Sequence, residues 1–181
     1  MPVGEWHQRM QAMFPDEQCE IAFCSFSKLG KQESRQTDVY LSNFSCLEVQ
    51  HSRISCNEVG LRKEDWAKFG KTIIWLIDGN TSDVSIEKLS DCNTIITFNE
   101  RWKFRSFLEN RYEFILLECD SEVYKIKLDA IKYKMIKVSK SYNIKRIVEC
   151  LQKNPEDVWK LWEDDNNIPS KMIVHQKGAG N

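Results

Sequence analysis

The sequence predicts an α/β fold with a mixed central sheet flanked by helices. Three observations lead to this prediction: a helical stripe of apolar residues opens the chain, a nearly continuous apolar run marks a buried strand, and helix and strand signals alternate between them. The chain has 181 residues, 41% hydrophobic and 29% charged. It is therefore long enough to bury a core and too apolar to be largely disordered.

The first part of the chain is predicted to contain one helix and three strands. Trp6, Met10 and Phe14 recur on one helix face, and Pro15 ends that helix. Residues 43–45 form a loop of hairpin length between two short strands. The predicted elements are a helix at 4–14, a strand at 19–26, a loop at 27–35, and strands at 37–42 and 46–51.

A capped helix and a buried strand follow the hairpin. Ser55 and Glu58 have the spacing of a capping box, and Gly70 suits the end of a helix that runs to residue 69. Residues 72–77, TIIWLI, are apolar throughout, which is typical of a strand buried on both faces. After a polar loop we expect strands at 94–98, 112–119, 123–128 and 134–138, and helices at 100–109, 141–153 and 155–163.

Composition and patterning indicate one intracellular domain. We expect the core domain at residues 1–140, a helical extension of it at 141–166 and a loose tail at 167–181. No apolar stretch is long enough to span a membrane, and residues 1–14 lack the pattern of a signal peptide. The seven cysteines include no C-x-x-C pair. Free thiols in the cytoplasm or nucleus, rather than secretion, are therefore expected.

Positive charge is concentrated in one segment although the net charge is only −1. Residues 125–146 contain eight basic side chains and one acid. Such a segment can contact nucleic-acid phosphates, with Lys132, Lys134 and Lys137 as candidates. It can equally form the solvated faces of strands and helices, and composition alone leaves both interpretations open.

The hairpin carries the candidate chemistry. If the short loop pairs Ser42 with Cys46, Asp38 and Glu48 become diagonal neighbours on one strand face. Two converging carboxylates form a hard-oxygen site of the kind that Mg²⁺ prefers. The alternative is that Asp38 begins a strand at a turn and Glu48 faces solvent. A register slip of one residue would separate the two acids.

Several motifs follow one another along the first part of the chain: the Trp-His pair at residues 6–7, Phe-Pro at 14–15, Asp-Val at 38–39, E-V-Q-H-S at 48–52 with Ile-Ser at 54–55, R-K-E-D-W at 62–66 and I-W-L-I-D-G at 74–79. In these elements the sequence resembles the competence CoiA-like nuclease family. The resemblance extends from residue 5 to residue 79 and is faint beyond it.

The resemblance implies a restriction-endonuclease-like core of the PD-(D/E)XK type. It implies that Asp38 and Glu48 hold Mg²⁺, for which Mn²⁺ can substitute. Gln50 stands where most such enzymes have lysine; it cannot act as a base but can orient water. Glu5 becomes a candidate third acid and His7 a candidate for proton transfer or phosphate contact, each against an ordinary structural role.

The expected function is hydrolysis of DNA phosphodiester bonds by water activated at the metal. Arg62 and Lys63 are candidates for further DNA contacts, with a solvated helix face as the equal alternative. Two departures from the family pattern stand beside it: Gln11 replaces a frequent lysine, and Arg35 lies three residues before Asp38 instead of two. A catalytically inactive nucleic-acid-binding module and a partner-binding protein are the alternatives. The oligomeric state stays open, and a homodimer is compatible with the sequence.

Overall fold

The computed structural model describes residues 3–26, 32–42, 44–90, 93–99, 106–109, 115–126, 135–138 and 140–167. In chain order the helices are α1 (Val3–Gln11), α2 (Cys56–Lys68), α3 (Ser106–Glu109) and α4 (Ile144–Lys153), with 3-10 segments at Asp16–Gln18 and Pro155–Asn167. The strands are β1 (Ala22–Phe26), β2 (Gln32–Gln36), β3 (Val39–Tyr40), β4 (Ser45–Gln50), β5 (Thr72–Asp78), β6 (Val84–Ser90), β7 (Asn93–Phe98), β8 (Ile115–Cys119), β9 (Glu122–Ile126), β10 (Met135–Val138) and β11 (Tyr142–Asn143).

A mixed central sheet flanked by helices confirms the predicted α/β class. Within the described residues it has six strands in the order β11-β9-β8-β5-β4-β3. Strands β4, β5 and β8 are parallel, and the outer pairs are antiparallel. A second sheet has the order β10-β7-β6, and β1 pairs with β2 as a separate hairpin.

Helix α2 connects the parallel strands β4 and β5. The Ser55 hydroxyl accepts a hydrogen bond from the Glu58 N–H at 3.1 Å, which caps the helix as predicted. Gly70 follows the helix with a φ of 67°, a left-handed conformation in which glycine has no steric penalty. The helix therefore starts and stops where the sequence indicates, and it lies against the face of the sheet that carries Glu48.

The central strand β5 separates two apolar cores. Ile73, Trp75 and Ile77 face α2, α3 and the second sheet. Ile74 and Leu76 face α1, α4 and the final 3-10 segment. Residues 73–78 of β5 are all buried, which confirms the prediction of a strand covered on both faces.

The hairpin register differs from the expected one by two residues. Val39 pairs with Leu47 and Tyr40 with Cys46, whereas the expected pairing joined Ser42 to Cys46. Side chains alternate with a period of two, so an even shift leaves each residue on its expected face. The pairing ends at Val39, so Asp38, at a bend just before β3, lies outside the ladder that the expected register had extended to Gln50.

Two polar segments form strands that the sequence did not predict. The predicted loop at 27–35 is wrong from Gln32 onward, because β2 pairs with β1. The polar loop expected after Gly79 contains β6, which pairs with β7. Backbone pairing with a neighbour decides these strands, while their polar composition reflects their exposure. The expected helix at 100–109 is described only as α3, and its first residues lie outside the described part.

The expected extension at 141–166 packs against the sheet. Ile144, Ile147, Val148 and Leu151 of α4 belong to the same core as Leu47 and Leu76. The tail expected at 167–181 lies outside the described residues apart from Asn167. No helix in the described part of the chain is long and apolar enough to cross a membrane.

A glycine-to-alanine substitution tests the close approach of β5 and β8. The Gly79 N–H donates to the Glu118 carbonyl at 2.6 Å, and a Cβ at residue 79 would lie 2.8 Å from that oxygen. Gly79→Ala should lower the free energy of unfolding by about 1–3 kcal/mol, because backbone must move to admit the methyl group. Urea denaturation measures the change.

Gly4→Ala is the matched control. A Cβ at residue 4 would meet no atom within 4 Å, and the residue lies in α1, where alanine is favoured. This variant should be as stable as the wild type or slightly more stable. Equal stability of the Gly79→Ala protein would show that the two strand ends are not tightly joined.

Candidate functional site

Asp38 lies at a bend immediately before β3, where α1 packs on the hairpin. Its Oδ2 accepts a hydrogen bond from the Val49 N–H at 2.7 Å, and its Oδ1 lies 3.5 Å from Nε2 of His7. Gln11, one turn after His7, donates to the Asp38 carbonyl at 3.3 Å. Burial raises the pKa of Asp38, while the Val49 N–H, His7 and Arg62 oppose the rise.

Glu48 lies in the middle of β4, and its side chain is covered by α2. Only 1% of the residue is exposed. Trp66 donates its indole N–H to Oε1 at 2.9 Å, and Arg62 donates from Nη1 to Oε2 at 2.5 Å. Burial raises the pKa of Glu48 to about 7, with repulsion from Asp38 as the second cause, while Arg62 and Trp66 oppose it. The two carboxyl groups thus disfavour each other's ionisation.

The other residues predicted for the site lie at different distances from this pair. Gln50 ends β4 and donates its side-chain amide to the Ser52 carbonyl at 2.6 Å. Glu5 is exposed on α1, and no hydrogen bond or ion pair joins it to Asp38 or Glu48 among the described contacts. Lys63 is exposed on α2, next to Arg62. Lys137 lies in β10, whereas Lys132 and Lys134 lie outside the described residues.

The donor set of the pair suits a hard divalent cation. Within the described residues, no group of three or more His, Cys, Asp and Glu side chains is placed to hold a metal ion. Asp38 and Glu48 alone offer carboxylate oxygens, and Mg²⁺ is commonly bound through one or two carboxylates with water completing its shell. Arg62 supplies the positive charge beside Glu48 in this structure.

A second buried carboxylate, Glu118, was not anticipated from the sequence. It is fully buried at the end of β8 and accepts the indole N–H of Trp6 at 2.7 Å. Arg9, the Asn80 amide and the Ser121 N–H also donate to it, at 3.4, 3.1 and 2.8 Å. Glu118 therefore fastens α1 and the loop after β5 to the end of β8.

Asp78 and His51 adjoin Glu118 at the same edge of the sheet. Asp78 is 2% exposed, and its Oδ1 accepts from the Asn80 N–H at 2.9 Å. Nδ1 of His51 lies 2.5 Å from Oδ2 of Asp78, and the His51 ring packs against Trp6. The missed signal was an acid directly after each of two apolar runs, TIIWLI and ILL. Parallel strands bring such acids together at their carboxyl ends.

Glu48 and Glu118 are held in similar ways, and the difference between them identifies the candidate site. Each accepts hydrogen bonds from one indole and one arginine. Among the described contacts, Glu118 has donors from four residues and Glu48 from two. Asp38 raises the pKa of Glu48 further, as a repelling charge. Glu118 is thus a saturated structural carboxylate, whereas Glu48 retains unused acceptor capacity beside a second acid.

Comparisons with known proteins do not add to this assignment. No family model matches the chain, and no match is found among curated proteins or solved structures.

The raised pKa of Glu48 predicts a pH-dependent gain in stability on neutralisation. Because the folded-state pKa lies near 7, above the ordinary 4.5, ionising Glu48 costs stability as pH rises through this interval, and the cost remains above it. In EDTA at pH 8, Glu48→Gln should raise the free energy of unfolding by about 1–3 kcal/mol. Near pH 4 the difference should vanish.

Chemical denaturation at both pH values measures this effect, with Glu64→Gln as control because Glu64 is exposed on α2. The control should change stability little at either pH. Arg62 keeps its contact with Glu58 in the Glu48→Gln protein, so its charge does not lose every partner. If Glu48→Gln lowers the stability equally at both pH values, Glu48 is a structural carboxylate like Glu118.

Proposed function

We propose that this protein is a metal-dependent nuclease that hydrolyses phosphodiester bonds in DNA, with Asp38 and Glu48 as the ligands of Mg²⁺ or Mn²⁺. One observation carries the proposal: burial raises the pKa of both Asp38 and Glu48, and the neighbouring Asp38 charge raises that of Glu48 further. Gathering two acids out of water is unfavourable for folding, and a bound cation would offset that cost. Cation binding would explain why the protein has two acids in this unfavourable position.

The restriction-endonuclease-like interpretation of the fold is part of the same proposal. A helix, an antiparallel hairpin, a crossover helix and a parallel strand follow in this order as α1, β3–β4, α2 and β5. The motif residues that resemble the CoiA-like family lie on these elements. An intracellular location, expected from the scattered cysteines, also belongs to the proposal.

Each of the predicted site residues would have a separate role in hydrolysis. A bound Mg²⁺ would supply positive charge to the scissile phosphate and acidify water. Gln50 has an uncharged amide at the end of β4 and would orient the attacking water. His7, beside Asp38, would move protons, and exposed Glu5 would contribute from the same helix. Asp38 and Glu48 must both be ionised for this chemistry.

A nucleic-acid-binding module without catalysis is the second candidate. The observation that favours it is the contact of Arg62 and Trp66 with both carboxylate oxygens of Glu48. In such a module the arginine would be the permanent counter-charge of Glu48. Cleavage assays separate the two candidates, because only the nuclease needs a divalent cation.

Charge-neutralising substitutions of the two acids test the nuclease. Asp38→Asn and Glu48→Gln should each lower Mg²⁺-dependent cleavage at least about 100-fold, because the cation loses a hard ligand while side-chain size is kept. Gel assays on single-stranded, double-stranded and branched DNA, with EDTA controls, measure the loss. Glu118→Gln is unsuitable as a control, since Glu118 anchors α1, and Glu64→Gln serves instead.

Substitutions of Gln50 test its proposed role in orienting the attacking water. Gln50→Ala should be milder than either acid variant, because cation binding persists and only water orientation suffers. Gln50→Lys should retain activity if the site works as in the wider nuclease fold. Full activity of Asp38→Asn or Glu48→Gln would refute the site, and a wild type inactive on DNA and RNA with both cations would favour the binding module.

Salt dependence tests the proposed DNA contacts of the basic segment. Neutralising Lys132, Lys134 and Lys137 together should reduce the log–log slope of DNA affinity against salt by about 3, if each lysine contacts one phosphate. Fluorescence anisotropy titrations at several salt concentrations give the slope. An unchanged slope would assign these lysines to solvation, whereas the cleavage chemistry could still hold.

A further inference from the structure

Arg62 lies between the buried Glu48 and the more exposed Glu58. Its Nη1 donates to Oε2 of Glu48 at 2.5 Å, and its Nε donates to Oε1 of Glu58 at 3.0 Å. The guanidinium lies 5.9 Å from the centre of the Trp75 ring. With 28% of the side chain exposed, it is accessible from solvent on one side.

The two carboxylate partners of Arg62 differ in kind. Glu58 precedes it by one helical turn on α2, and 39% of its side chain is exposed. Glu48 belongs to the sheet, and 2% of its side chain is exposed. The Glu58 contact can hold Nε in place while the outer nitrogens change partner. The guanidinium is thus anchored at one end and exchangeable at the other.

A cation at Asp38 and Glu48 would disturb only the exchangeable end. Arg62 is at present a positive charge beside Glu48, and it opposes the raised pKa of both acids. A divalent cation bound to the same carboxylates would repel the guanidinium and compete for Oε2 of Glu48. The arginine would then need another anion, and its planar fork fits phosphate oxygens closely.

We propose that Arg62 is a phosphate-positioning residue that stays bound to Glu48 until a divalent cation binds. This inference rests on the proposed function and adds a coupling to it. With a cation bound at Asp38 and Glu48, the Arg62 guanidinium would leave Glu48, and its free fork would bind a backbone phosphate of the nucleic acid. Cation binding and nucleic-acid binding therefore strengthen each other by the same factor, because linkage is reciprocal.

The first test is Mn²⁺ affinity without nucleic acid, measured by calorimetric titration at pH 8.5. Arg62→Gln should bind Mn²⁺ about five- to tenfold more tightly than the wild type, because the competing positive charge has gone. A purely structural arginine would give unchanged or weaker binding when removed. Circular dichroism melts confirm that the variant is folded.

Arg35→Gln is the matched control. Arg35 forms ion pairs with Asp65 and Glu58, so the substitution removes the same charge from the same network without touching Glu48. Its Mn²⁺ affinity should stay within about twofold of the wild type. A gain equal to that of Arg62→Gln would indicate a general charge effect and would overturn the specific role of Arg62.

The second test is DNA affinity with and without Ca²⁺, a hard cation with the same preference for oxygen ligands. Addition of Ca²⁺ should tighten wild-type binding to a short duplex about fivefold. Arg62→Gln should lose that gain, and Arg62→Lys should recover part of it, since lysine keeps the charge without the fork. A full gain in Arg62→Gln would overturn the proposal.

The outcomes also separate this inference from the proposed function. If the wild type binds Mn²⁺ and Arg62→Gln binds it equally well, the role of Arg62 is overturned. The proposed nuclease function is then unaffected. Absence of Mn²⁺ binding in wild type and Arg62→Gln alike overturns both. Tighter binding in Arg62→Gln without any cleavage by the wild type supports the exchange of Arg62 and refutes the nuclease.

Discussion

Burial of β5 on both faces is the constraint on which the rest of the structure depends. A strand without a polar face needs parallel partners on both sides and helices above and below, and β4, β8, α1 and α2 meet these needs. The parallel arrangement also fixes where polar groups gather. Glu48 therefore lies beneath α2, while Asp78 and Glu118 lie at the carboxyl ends of their strands.

The fold buries two glutamates on opposite faces of the sheet, and the same kinds of donor hold both of them. An indole N–H and an arginine hold each one, Trp6 and Arg9 for Glu118, and Trp66 and Arg62 for Glu48. Tryptophan suits this role because it donates one hydrogen bond from an otherwise apolar ring. Glu118 accepts hydrogen bonds from four residues among the described contacts. Glu48 accepts them from two, and burial together with the nearby Asp38 charge raises its pKa.

The half-buried Asp38 and the buried Glu48 together reduce the stability of the fold. Each charge is partly compensated, Asp38 by His7 and the Val49 N–H and Glu48 by Arg62, so the site can fold without a cation. The compensation of Glu48 is incomplete, because its pKa stays raised despite Arg62 and Trp66. Natural proteins tolerate such local costs where chemistry requires them, while the apolar cores of β5 supply the stability that offsets them.

The sequence by itself determined the α/β class, the buried strand β5, the cap and end of α2, and the alternation that buries Leu47 and Glu48 on opposite faces of β4. These follow from local periodicity, from capping chemistry and from an alternation that an even register shift preserves. Only the tertiary structure decided the hairpin register, the strands β2 and β6, and the partners of Glu48. Strand β2 pairs with β1, and β6 pairs with β7. Each pairing joins separate segments, and a polar sequence does not predict it. The contact of α1 with the second acid cluster was likewise not predictable locally, because Trp6 and Glu118 are 112 residues apart and meet only when the sheet brings α1 onto β8.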